Sequence, residues 1–384
     1  MDTAEWEAAG LFRPDDEGAD ERRALLDYLS ARGATVAQMA EAHRAGGLPG
    51  VAGELVVGQG RATLSLEEMA GRAGIGVERL RRVLLAAGLP VTAEAELPGD
   101  LVEVMTAFEQ AASLMGDDAI LAFARVLGAA ASTIAEAAVA VFYAELGPGT
   151  GRAGLTELER AQLSERAATA FTVVPDALHR VLLAQFDRAV RRTQLARGWP
   201  SATEAATGGP GAPAAAQPSE RVALGFVDLV ESTAWAEGLS LRDQSLALSG
   251  FESTAWSSAV LAGGRVVKMI GDAVFFVAPS VDAACRIALE VCGAVAVDPR
   301  LPPARGAVGY GVVVPREGDY FGPLVNLVSR LVKVAEPGVV VVTAEAASAL
   351  PADGGWTRNE LAPLSLRGVE QPVGVFAVAR ASRD

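Results

Sequence analysis

The sequence predicts an all-helical region followed by an α+β layer sandwich. Three observations carry this reading. The composition changes sharply near residue 200: Ser201 to Ser219 is rich in Ala, Gly and Pro, with Gly208-Gly209-Pro210-Gly211 at its centre, as a linker would be. Before it, apolar residues recur at helical spacing. After it, strand-like runs alternate with helices. The expected divisions are a helical domain at 1–200, a linker at 201–219 and an α+β domain at 220–384.

The composition suits buried cores. Of 384 residues, 51% are hydrophobic and 21% charged. A formal charge of −14 argues against broad nucleic-acid binding and against a polybasic membrane patch. The two cysteines, Cys285 and Cys292, fall on one expected helix, roughly 10 Å apart along its axis. That is too far for a disulfide, so both are read as core thiols in a reducing compartment. The start, Met1-Asp2-Thr3-Ala4-Glu5-Trp6, is acidic and unlike a signal peptide. Ala119 to Leu146 is the most apolar stretch, interrupted by Arg125, Glu136 and Glu145. Its uncharged core is too short for a transmembrane segment, so it is read as buried helix, and the chain as cytoplasmic.

In the first half, Asp20 to Arg44 reads as helix broken at Gly33. Leu64 to about residue 90 has helix-turn-helix spacing. Ser65 is the expected cap, Glu67 and Glu68 supply acids to the first turn, and Gly74-Ile75-Gly76 makes the turn. Val77 to Ala87 then carries Leu80, Val83, Leu84 and Ala87 on one face. Arg79, Arg81 and Arg82 on this helix admit a DNA-reading role, but such geometry is common in bundles and the acidic chain disfavours it. Leu101 to Leu146 and Leu155 to Arg197 supply further helices. The last ends in Arg188, Arg191, Arg192 and Arg197, which suits the helix dipole. A second reading has this end contact the acidic second half and transmit a signal.

In the second half, Arg221 to Asp228 reads as a buried strand and Leu241 to Leu261 as a long helix. Arg265 to Met269 and Ala273 to Ala278 are strands joined by a tight hairpin at Gly271-Asp272. Val281 to Val295 is helical. Strands are expected at 305–314, 338–343 and 374–378. Pro323 opens a helix through Val334, where its missing N–H costs least.

Asp228 and Asp272 each end a strand-like run, and paired carboxylates there can hold divalent ions. The N–H groups of Leu229 to Thr233, with Ser232 and Thr233, can receive phosphate oxygens. Asn326 and Arg330 lie four apart on one helix and share a face.

With these motifs in order, Arg221 to Arg380 resembles a class III nucleotidyl cyclase catalytic domain. The resemblance implies the ferredoxin-like α+β fold of that family, preceded here by an all-α regulatory domain. It implies that Asp228, Asp272 and the Leu229 carbonyl hold two Mg²⁺ or Mn²⁺ ions per site. Lys268 and Asp319 resemble the purine-specifying pair of adenylate cyclases. Lysine can donate to adenine N1 and aspartate can accept from the N6 amino group, whereas guanine reverses the pattern. Asn326 would orient the ribose and Arg330 stabilise the transition state. Ser232, Thr233 and Arg367 would touch the triphosphate. Glu231 stands where glycine is more usual, and is expected to face outward.

The family builds each site from two protomers, which implies a head-to-tail homodimer acting on ATP. The helical half resembles, more loosely, the regulatory region of certain actinobacterial adenylate cyclases. Protons or a fatty acid are the effectors that resemblance implies. His43 and His179 are the titratable candidates, and the Leu101 to Leu146 region a candidate lipid pocket. The rival readings are a guanylate or relaxed-specificity cyclase, and a helix-turn-helix regulator whose cyclase-like domain only senses nucleotide.

Overall fold

The computed structural model describes residues 3–58, 62–92, 96–146, 154–197, 219–366 and 371–381. The chain divides into two compact units, Met1–Gly198 and Trp199–Asp384. The expected linker lies outside the described residues except for Ser219.

The first unit holds α1 (Thr3–Ala8), α2 (Ala19–Ser30), α3 (Val36–Arg44), α4 (Val51–Gly58), α5 (Leu66–Ala73), α6 (Val77–Ala86), α7 (Leu101–Met115), α8 (Asp117–Leu146), α9 (Glu157–Phe171) and α10 (Val174–Arg197). It is not purely helical: β1 (Thr63–Leu64) pairs antiparallel with β2 (Leu97–Pro98). The Ser65 hydroxyl accepts from the Glu68 N–H, and the Glu68 carboxylate accepts from the Ser65 N–H, a full capping box before α5. α5 and α6 share one core, built on Met69, Leu80, Leu84 and Met105. A second core gathers Trp6, Leu25, Leu29, Met39 and Ala161.

Arg79 of α6 is paired with Glu109 and Asp117, and Arg81 with Glu78. These ion pairs neutralise two of the three arginines that admitted a DNA-reading helix. A second set links α2 to α9. Arg32 Nε donates to Glu165 at 2.9 Å, and the Tyr28 hydroxyl donates to the same carboxylate. The Arg32 and Tyr28 hydrogen bonds hold Glu165 below the ordinary carboxylate range. Burial pushes the Tyr28 hydroxyl up to about 12.

The reading of 119–146 as buried helix is corrected. Ile120 and Ala124 are buried, but Phe123, Leu127, Val139 and Val141 are exposed. A helix of this length spans about 45 Å, more than one small core can cover. α10 likewise exposes Leu182, Leu183 and Phe186. The segments Asp117–Val141 and Glu157–Thr193 are long and apolar enough to cross a membrane by length and composition. The uncharged run between Arg125 and Glu136 is short, as expected, and the first segment qualifies on mean hydropathy with charges inside its window.

The second unit holds β3 (Glu220–Leu229), α11 (Ser232–Glu237), α12 (Leu241–Leu261), β4 (Arg265–Ile270), β5 (Ala273–Ala278), α13 (Val281–Val297), β6 (Ala304–Arg316), β7 (Asp319–Phe321), α14 (Pro323–Val334), β8 (Val340–Thr343), α15 (Ala344–Ala349), β9 (Trp356–Glu360) and β10 (Val375–Arg380). The sheet order is β4-β5-β3-β6-β8-β10-β9, with β7 paired to β6. Only β6 and β8 pair in parallel among the described strands.

Alternation along the strands makes two cores. Val227, Leu229, Val274, Phe276 and Val308 face α12 and α13. Leu224, Phe226, Phe275, Ala307 and Val313 face α14 through Val328, Leu331 and Val332. This is the α+β sandwich expected of the sequence. Cys285 and Cys292 are buried on α13, and burial pushes both thiols up to about 12.

Candidate active site

β3 is apolar from Ala223 to Val227 because both faces of a central strand are covered, and the first polar side chain in this stretch is Asp228. Val227 and Leu229 face the α12 side, so Asp228 faces the α14 side. It is 8% exposed. The register sets it opposite Ala273 on β5 and Arg305 on β6. Gly271 turns the β4–β5 hairpin at φ 62°, a conformation glycine adopts without strain. That turn brings Asp272 beside the end of β3, where its carbonyl accepts from the Leu229 N–H at 3.2 Å. The Asp272 carboxylate accepts from the Ser232 hydroxyl at the start of α11. Thus Asp228, Leu229, Asp272 and Ser232 form one cluster, with Thr233 exposed next to it.

Glu231 caps α11 at φ 53°, in the left-handed region, and is exposed. The outward side chain agrees with expectation. Glycine would hold this backbone angle without strain.

Lys268 on β4 and Asp319 on β7 are 51 positions apart and form an ion pair. Arg265 holds the β6–β7 hairpin to β4: its Nη2 donates to the Gly318 carbonyl at 2.9 Å, and its guanidinium lies 5.3 Å from the Tyr320 ring centre. Burial raises the Tyr320 hydroxyl above its ordinary range. Asp319 also accepts from the Tyr320 N–H at 2.8 Å, which orients its carboxylate. The purine-reading candidates are therefore braced by Arg265, a role the sequence reading did not assign.

Asn326 and Arg330 are exposed on α14, one turn apart, opposite the buried Val328, Leu331 and Val332. α14 lies close to β6 because Gly309 has no side chain. A Cβ there would sit 2.4 Å from Val328 Cγ2 and 2.9 Å from Leu324 Cδ1.

Arg305 also escaped the sequence reading. Its Nε and Nη2 donate to Asp228 Oδ2 at 3.0 and 2.8 Å, and its Nη1 donates to the Lys333 carbonyl at 2.7 Å. The available signal was its place at the start of β6, which becomes meaningful only once the β3–β6 register is known. Arg367 lies outside the described residues.

In the helical unit, His43 Nδ1 lies 3.4 Å from Arg22 Nη1. Arg22 also reaches Glu157 through Nε and Nη2, each at 3.1 Å. His179 is exposed. Of the apolar 101–146 stretch, Leu101 and Val104 line a cleft of about 550 Å³ with Leu89, Pro90, Leu97 and Pro98.

No protein-family model matches the chain. An uncharacterized protein of Mycobacterium tuberculosis is 30% identical over 375 residues, covering 96% of this chain and 92% of its own length. A pH-sensitive adenylate cyclase of Mycobacterium tuberculosis is 30% identical over 374 residues, covering 94% of this chain and 88% of its own. An adenylate cyclase of Streptomyces coelicolor is 33% identical over 164 residues, or 41% of this chain and 43% of its own. Among solved structures, an adenylyl cyclase from P. aeruginosa aligns over 44% of this chain and 98% of its own, at 21% identity and a TM-score of 0.39.

Proposed function

Because the chain belongs to the class III nucleotide cyclase family, we propose that it is a regulated adenylate cyclase converting ATP to 3′,5′-cyclic AMP and pyrophosphate. The observation that carries the choice of substrate is the Lys268–Asp319 pair. Lys268 Nζ would donate to adenine N1, and Asp319 would accept from the N6 amino group. Guanine would set a donor against Lys268 and an acceptor against Asp319, so discrimination should be large.

Asp228, Asp272 and the Leu229 carbonyl are hard oxygen donors of the kind Mg²⁺ and Mn²⁺ take alongside substrate phosphates, so these residues fit two divalent cations. When bound, the cations would favour ionisation of the ribose 3′-hydroxyl and offset phosphate charge. Ser232, Thr233 and Arg367 would hold the triphosphate. Asn326 would orient the ribose so that the 3′-oxygen faces the α-phosphorus. As that oxygen bonds to phosphorus, the bond to the pyrophosphate oxygen breaks and the hydroxyl proton passes to solvent. Arg330 would spread its donors over the phosphoryl oxygens at that moment.

Asp228 lies opposite the start of β6, whereas Asp319 pairs with its end at Arg316. Asn326 and Arg330 are turned to solvent. This separation supports two half-sites per chain, completed in a head-to-tail homodimer.

The test is turnover by the purified full chain with Mn²⁺ or Mg²⁺ and either ATP or GTP. Cyclic AMP should form and Asp272→Ala should abolish it. Full activity in that variant would sink the metal assignment. Mixing Asp228→Ala with Arg330→Ala chains should restore partial activity. Confirmed mixed dimers without activity would count against shared sites.

The helical unit is assigned regulation by protons. The pH-sensitive relative is similar across 94% of this chain, the helical unit included. Arginine can only donate, so His43 Nδ1 is the acceptor in its contact with Arg22. His43→Gln should flatten the pH response of the full chain, and an unchanged profile would refute the assignment.

A further inference from the structure

Arg305 stands outside the set that the sequence assigned, yet it makes the closest charge contact to Asp228. Both contacts fall on one oxygen, Oδ2, at 3.0 Å from Nε and 2.8 Å from Nη2. The side chains of Arg305 and Asp228 are 20% and 11% exposed. Water therefore screens the pair weakly, and the guanidinium is the counter-charge that lets a carboxylate sit buried at the end of β3. The third donor, Nη1, is committed to the Lys333 carbonyl in the last turn of α14, at 2.7 Å. That anchor holds the guanidinium over Asp228.

A divalent cation needs the same carboxylate. Bound at either oxygen of Asp228, it would stand within a few ångströms of a fixed positive charge. We propose that Arg305 is a positioning residue that holds Asp228 in the cation-free chain and competes with the divalent cation for it, so that Arg305 sets the cation affinity of this half-site. The proposal rests on the reading of Asp228 as a metal ligand. It extends that reading by assigning an internal competitor.

The experiment measures Mn²⁺ binding to the full chain without nucleotide, by the loss of the free Mn²⁺ electron-paramagnetic-resonance signal. Wild type, Arg305→Gln, Arg305→Lys, Asp228→Asn and the Arg305→Gln/Asp228→Asn double variant are compared, with folding checked by circular dichroism. Two ligands competing for one group are coupled, and such couplings are about 5- to 150-fold. Arg305→Gln keeps a donor for the Lys333 carbonyl and should bind Mn²⁺ about tenfold more tightly than wild type. Arg305→Lys keeps the charge and should stay near wild type. The double variant should lose the gain.

Equal or weaker Mn²⁺ binding by folded Arg305→Gln would overturn the proposal, since a residue that only orients Asp228 predicts weakening. If Arg305→Gln fails to fold, the Lys variant decides. With the charge kept, affinity near wild type would support competition, and a clear weakening would overturn it. Wild-type Mn²⁺ binding by Asp228→Asn would instead overturn the metal reading itself, a separate result.

Discussion

Gly309→Ala tests whether the seat of α14 fixes the reactive geometry. The added Cβ would lie 2.4 Å from Val328 Cγ2, against the 3.0 Å below which real contacts essentially never fall. Val328 is fully buried and β-branched, so it has no rotamer to retreat into. α14 must therefore lift by at least ~0.6 Å, or the strand must sink. Overpacking of this kind costs roughly 1–3 kcal/mol, offset by the roughly 0.5–1 kcal/mol that alanine gains over glycine in a strand, for a net loss of up to about 2.5 kcal/mol. Asn326 and Arg330 ride on the same helix, and a misplacement of about 1 Å can cost on the order of a hundredfold in rate. Urea unfolding followed by circular dichroism reads the first effect, and cyclic AMP formation reads the second. The rate should fall by more than tenfold with little change in KM for ATP. Wild-type stability together with a wild-type rate would refute the claim that this missing side chain sets the height of the helix.

Glu231→Gly relieves a left-handed backbone that costs an L-residue roughly 1–2 kcal/mol, less what glycine's freedom forfeits, so the catalytic unit should gain up to about 1 kcal/mol. A drop in the urea midpoint would contradict this. Glu165 has its folded value depressed by Arg32 and Tyr28, so its contribution to stability is present above the ordinary glutamate range and is lost as pH falls through the folded value. Glu165→Gln should cost roughly 0.5–1 kcal/mol at neutral pH, and less in acid where wild type loses the same contacts. An equal loss at all pH values would exclude this origin. Cys285 and Cys292 should resist thiol reagents in the native chain and react together on unfolding, because burial holds both as thiols. Labelling of either in the folded protein would show that α13 opens locally.

Helix limits were legible where the chain carries its own punctuation. Ser240 accepts from the Asp243 N–H and starts α12, while Pro323 starts α14. β9 and α15 escaped notice because they are short, and β9 is an edge strand without a buried alternation. The burial of 119–146 was misjudged for a different reason. Composition reports that a helix is apolar, not whether a neighbour covers it, and α8 outruns its core. Lys268, Asp319, Asp228 and Asp272 were legible through local motifs. Arg265 and Arg305 were not, because their meaning comes from partners 53 and 77 positions away. Register creates those contacts, and no local pattern announces them.

Arg305 grips two things at once, Asp228 and the last turn of α14. In a dimer with shared sites, Asp228 works in one active site while Asn326 and Arg330 of the same chain work in the other. The guanidinium then ties the two sites together through a single side chain. Loading the first site would pull on the helix that serves the second, and manganese titrations of turnover would follow a Hill coefficient other than one. Arg305→Gln, with the tie cut, would shift that coefficient to the value set by the two cations of each site alone, and the dimer would behave as two independent enzymes.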